Sequence, residues 1–165
     1  MVCNKVKHKW DTLTKELCAE LVQAELDSVQ VTFYSADPDI HNELVGGAHY
    51  EETVAGIRNA VTAGINLSIN TPLCSLNKDY LETLKFLHNL GVRYVTCSGL
   101  IITGNARTDE SVRTQLSGEQ LYQVLKEAAG YCYANNMEIN FTSPGWIAQE
   151  SCRSLDWMYR PVVHV

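Results

Sequence analysis

The chain has 165 residues, 45% of them hydrophobic and 19% charged, with a formal net charge of -6 at pH 7; it can bury one ordinary core and is neither disordered nor fibrous in composition. Lysine and arginine are scattered apart from Lys5, Lys7 and Lys9, which leaves no basic face for a phosphate backbone and argues against a nucleic-acid partner. The longest apolar runs, such as 98–103, fall far short of the ~20 residues that span a bilayer, and no apolar signal core opens the chain, so a cytoplasmic protein without a membrane partner is expected.

In chain order, Thr14 can cap a first helix running to about Leu26, with Leu13 packing back on Cys18 as a staple. Four strands follow, at Val29 to Tyr34, Ile65 to Asn70, Val92 to Cys97 and Met137 to Thr142, where apolar and β-branched residues alternate or run together. Between them the apolar period changes to that of a helix: Tyr50, Val54, Ile57, Val61, then Leu81, Leu84, Leu87, Leu90, then Leu121, Val124, Leu125, Ala128, Cys132. Gly64 and Gly91 stand where left-handed helix caps are wanted. Asn77 is placed to cap the second of these helices, and Ser117 with Gln120 has the spacing of a capping box for the third. Alternating strands and helices imply parallel pairing, hence an α/β fold, either an open doubly wound sheet or a section of a barrel.

The loops after the strands, 35–49, 71–77, 98–116 and 143–146, are rich in Ser, Thr, Asn, Gly and Pro, and two are long. The turns from helix to strand are minimal. Ligands bind at strand carboxyl ends in both architectures, so that end is the expected binding end. The six cysteines, Cys3, Cys18, Cys74, Cys97, Cys132 and Cys152, include no pair at metal-ligand spacing and read as reduced structural thiols. No nucleophile elbow, HExxH helix or Walker loop is present.

Three segments resemble the radical S-adenosylmethionine superfamily, in particular its SPASM-type members with a cysteine-rich C-terminal extension. They are Val29 to Ser35 with Asp37 to Asn42, Gly56 to Ala60 leading through Gly64 into Leu67 to Thr71, and Leu90 to Val95 followed by Ser98 to Gly104. The resemblance implies a partial parallel (βα) barrel, about four βα units of a (βα)6 TIM-like barrel, over 11–165, with 1–10 as a leader outside the family. It implies S-adenosylmethionine and a 4Fe-4S cluster as cofactors. The family's C-x3-C-x2-C cluster motif and its Gly-rich cofactor stretch do not occur in this sequence. A radical enzyme fragment without cleavage activity of its own is therefore expected, or alternatively a non-catalytic module that self-associates through open sheet edges or complements a missing N-terminal half.

On the family pattern the cofactor-binding positions are Ser35, Ser68, Asn70, Ser98, Gly99 and Ile101. Ser68 or Asn70 would meet the ribose, and their side chains share one side of a strand, opposite Leu67 and Ile69. The same pair could equally be polar residues of a small barrel's interior. The Gly99 to Gly104 stretch has one residue more than the family's spacing between Ile101 and the second glycine. His41 and His49 flank the first long loop, where an imidazole could bind substrate or shuttle protons, but read as surface histidines; Asp37, Asp39, Glu43, Glu51 and Glu52 could supply acid-base chemistry but read as structural, Asp37 starting a turn and the Glu51–Glu52 pair a helix. Trp146 reads as a plug for the barrel end.

Overall fold

The computed structural model describes residues 5–7, 13–99 and 114–142. It begins with strand β1 (Lys5–Lys7), helix α1 (Lys15–Gln23), strand β2 (Ser28–Thr32), helix α2 (Pro38–Val45) and helix α3 (Tyr50–Thr62). Strand β3 (Leu67–Leu73), helix α4 (Tyr80–Asn89), strand β4 (Tyr94–Gly99), helix α5 (Gly118–Ala134) and strand β5 (Glu138–Thr142) complete it.

The helix ends follow the punctuation of the sequence. Thr14 accepts a hydrogen bond from the Leu17 amide at 3.2 Å, and Ser117 with Gln120 forms a reciprocal capping box. Gly64 (φ +73°) and Gly91 (φ +92°) are left-handed. In each case the next amide reaches five residues back, Ile65 to the Ala60 carbonyl and Val92 to that of Leu87, the double closure that satisfies orphan carbonyls at a helix end. α1 closes in the same way through Glu25 (φ 51°), a side-chain-bearing residue in a glycine conformation.

Two segments differ from the sequence reading. The first long loop contains α2, started by Asp37, whose carboxylate accepts from the Asp39 and Ile40 amides, with Pro38 in the first turn and Gly46 (φ 82°) at its end. The sheet also has a fifth strand, since Lys5–Lys7 pairs in parallel with β2. Three residues are too few to show a period, which is why pattern alone passes over it.

All pairings are parallel and the order is β1-β2-β3-β4-β5. Each strand thus lies beside its successor in sequence, with no reversal of direction. A doubly wound sheet requires such a reversal; right-handed crossovers running one way put every helix on one face, as in a barrel wall. The structure is accordingly the α/β, partial parallel βα barrel expected from the sequence.

Burial separates the two faces. Val29, Val31, Leu67, Ile69, Val95 and Cys97 are buried and form one core with Ile57, Leu84, Leu87, Leu121, Leu125 and Cys132 from the helices. Each large aliphatic side chain so buried contributes about 2 kcal/mol of transfer free energy. The alternate residues Gln30, Thr32, Ser68, Asn70, Thr96 and Ser98 are only half-buried and point away from that core, as strand alternation requires.

Candidate functional site

Side-chain hydrogen bonds hold together the carboxyl ends of β2 and β3. Asn77 is 4% exposed; its carboxamide oxygen accepts from the Cys74 amide at 2.7 Å, and its nitrogen donates to the Tyr34 and Pro72 carbonyls at 3.0 Å each. Asn77 is thus a staple between two strand ends and not the helix cap its position suggests; Asp79 occupies the cap position of α4 without a side-chain bond. Thr83 of α4 accepts from the Ala36 amide, and the Tyr50 hydroxyl donates to the Ala36 carbonyl. Asn42 accepts from the amides of His49 and Tyr50.

His41 lies at the centre of this rim and is fully buried, which corrects its reading as a surface histidine. Its ring packs against Phe33 at 4.7 Å, Tyr50 at 5.7 Å and Tyr34 at 6.1 Å. Nδ1 accepts from the Tyr34 amide at 3.3 Å, so the proton of the neutral ring is assigned to Nε2, and Nε2 has no hydrogen-bond partner among the described residues. Burial, with a smaller contribution from His49, pushes the His41 pKa down to about 4. The imidazole is therefore neutral at pH 7. His49 is half-exposed and meets Glu52 at 3.0 Å.

The expected cofactor positions fall in different settings. Ser35 is 6% exposed and its hydroxyl accepts from the Asp37 amide at 3.0 Å, making it part of the turn into α2. Ser68 and Asn70 lie on the half-buried face of β3, on the side opposite Leu67 and Ile69. Ser98 pairs in register with Pro72 and Gly99 with Leu73 at the end of β4. Ile101 lies outside the described residues, as do Trp146 and most of the loop after β4. The bonds made by Asn42, Asn77 and Thr83 were not legible from motifs, because their partners are backbone groups placed by the fold.

The described residues do not fit a 4Fe-4S cluster. Cys18, Cys74, Cys97 and Cys132 are buried free thiols, and among the described residues no three Cys, His, Asp or Glu side chains converge as metal ligands. Burial raises the Cys97 thiol strongly and pushes that of Cys132 up to about 12, whereas a ligating cysteine must be a thiolate. No helix among the described residues is long and apolar enough to cross a membrane.

Fold and rim together define a segment of a parallel βα barrel with its stapled end at the strand carboxyl termini. No family model matches the chain, and no curated protein matches it. Among solved structures it is similar to "native anSMEcpe with bound AdoMet", with a TM-score of 0.64 and 9% identity over 83% of this chain. The match covers 39% of that other chain. At this identity the likeness establishes the fold.

Proposed function

We propose that this chain is a radical S-adenosylmethionine barrel segment that binds S-adenosylmethionine at its strand carboxyl ends and does not cleave it unaided. The supporting observation is the match to a structure holding AdoMet, which has the parallel barrel fold suggested by the segments around β2, β3 and β4. Ser98 and Gly99 at the end of β4, with Asn70 one row below, would supply the contacts to the cofactor's ribose and adenine, whereas Ser68, in register with Tyr94 at the start of β4, lies at the other end of its strand. Reductive cleavage of the sulfonium needs an electron from a cluster, and the described thiols do not assemble one. The test is calorimetric titration with S-adenosylmethionine beside anaerobic iron-sulfur reconstitution and iron quantitation. Saturable cofactor binding without stoichiometric iron is expected; absence of binding refutes the reading, and a stoichiometric cluster refutes its second clause.

A second reading rests on the sheet edges. β1 and β5 each pair on one side only in the described sheet, and unpaired parallel edges are templates for another strand. On this reading the chain self-associates or completes its barrel with a second polypeptide. A single monomeric species in sedimentation at high concentration would exclude self-association.

A further inference from the structure

The two edges of the sheet are built differently. β1 is three residues long and reads Lys-Val-Lys; shortness and lysine are two devices that keep an edge strand from pairing with another chain. β5 is five residues long and reads Glu-Ile-Asn-Phe-Thr, without lysine or proline. The Glu138 amide donates to the Arg93 carbonyl at 2.7 Å. Alternate residues bond to one neighbour in a parallel ladder, so Glu138, Asn140 and Thr142 turn their backbone groups to β4, and Ile139 and Phe141 turn theirs to the open side. The side chains of Ile139 and Phe141 pack on the core but stay half-buried, since no further strand stands beside them in the described sheet. Helix α5 leaves the same side open. Its Tyr131 hydroxyl meets His88 of α4 at 3.3 Å. Tyr133, two residues on, is turned about 160° away on a helix of 3.6 residues per turn, to the flank on the side of the β5 edge, where it is 82% exposed.

This edge matches a second copy of itself. Set antiparallel about Asn140, two β5 strands oppose Ile139 to Phe141 twice, Asn140 to Asn140, and Glu138 to Thr142. The residues with outward backbone groups then face each other in both Ile139–Phe141 pairs, and each such pair exchanges two N–H to C=O hydrogen bonds. Centring on Ile139 or on Phe141 instead leaves one such pair within the strand. A β-branched residue against an aromatic one is also a favourable cross-strand pair. The charges agree with the same register. Glu138 is the one charged residue of β5 and meets Thr142, whereas centring on Glu138 would oppose two carboxylates. Two copies of β1 would oppose lysine to lysine, and β5 against β1 would bring Glu138 to a lysine-bearing strand but pair three residues at most. Units preceding β1 would continue the sequentially ordered sheet on the β1 side, so they do not compete for β5. A two-fold axis normal to the sheet keeps the helices of both copies on one face, which brings the two α5 flanks together and covers Tyr133 of each.

We propose that β5 docks a second copy of this chain, forming a two-fold dimer in which the β5 strands pair antiparallel about Asn140 and the α5 flanks meet at Tyr133. The proposal rests on the self-association reading above and fixes its edge, direction and register. The experiment is sedimentation velocity of the full chain up to about 1 mM, with Asn140→Lys and Tyr133→Ala at exposed positions, beside mild oxidation of Asn140→Cys with oxidised glutathione and peptide mass mapping. A monomer-dimer equilibrium that stops at the dimer is expected. One strand and one helix flank fall below the ~20–30 residues a side of a standard interface, so it is weak. Asn140→Lys opposes two cations at the axis and should weaken the dimer by about tenfold or more, and Tyr133→Ala by about threefold, with thermal unfolding of the dilute variants unchanged. Residues opposed at the axis lie ~4.5 Å apart between Cα atoms, within disulfide range, so Asn140→Cys should link position 140 of one copy to position 140 of the other. Dimers indifferent to Asn140→Lys, a folded Asn140→Cys protein without that link, or oligomers growing past the dimer overturn the proposal and leave self-association standing. A monomer throughout overturns both, and protection of the Ile139 and Phe141 amides from hydrogen exchange in that monomer would give the edge to another segment of the same chain.

Discussion

Acidification should destabilise this protein through His41 before its carboxylates matter. The ring is fully buried and neutral, with a pKa pushed down to about 4, whereas an unfolded histidine titrates near 6.5. Below pH 6.5 the unfolded chain takes up this proton and the folded chain does not, so stability present above 6.5 is lost as the pH falls towards 4. The full difference is worth about 3 kcal/mol, and by pH 5 about 2 kcal/mol of it is gone. The assay is urea unfolding at pH 7.5 and pH 5.0 for the wild type and for His41→Asn. The asparagine oxygen can still accept from the Tyr34 amide but cannot titrate. Its lost ring packing lowers stability at both pH values, so the readout is the difference between them. The wild type should lose about 2 kcal/mol more than the variant on acidification. Parallel losses in the two proteins, or a smaller loss in the wild type, would refute the assignment of a buried neutral imidazole.

Two further outcomes follow from the backbone. Glu25→Gly should raise stability by about 1 kcal/mol in thermal unfolding, because the left-handed residue closing α1 (φ 51°) carries a side chain. Asn77→Ala should cost about 2–3 kcal/mol in urea unfolding, because it removes a buried side chain bonded to the backbone at Cys74, Tyr34 and Pro72.

The fold was legible wherever a period or a cap was long enough to be seen. Leu67 and Ile69 against Ser68 and Asn70 show the two faces of β3 directly, and Gly64, Gly91 and Ser117 mark helix ends that the structure keeps. α2 was hidden because its buried residue is a histidine, which carries no apolar signal; Asp37, Pro38 and Gly46 were the available clues. β1 was hidden by its length, with Val6 between two lysines. The rim was the least legible part. Asn77 sits near the start of a helix, where asparagine ordinarily caps, and only the approach of β2 to β3 provides the carbonyls it bonds instead.

The sequential strand order also bears on how the chain folds. Bringing two parallel strands together costs more entropy the longer the intervening loop. The crossover from β3 to β4 occupies 74–93, whereas those from β2 to β3 and from β4 to β5 occupy 33–66 and 100–137. The link from β1 to β2, at 8–27, matches it in length, but that ladder has three residue pairs against the six of β3 and β4. The β3-α4-β4 unit therefore gains the most pairing for the least closure cost, and the sheet can grow outward from it one neighbour at a time in either direction.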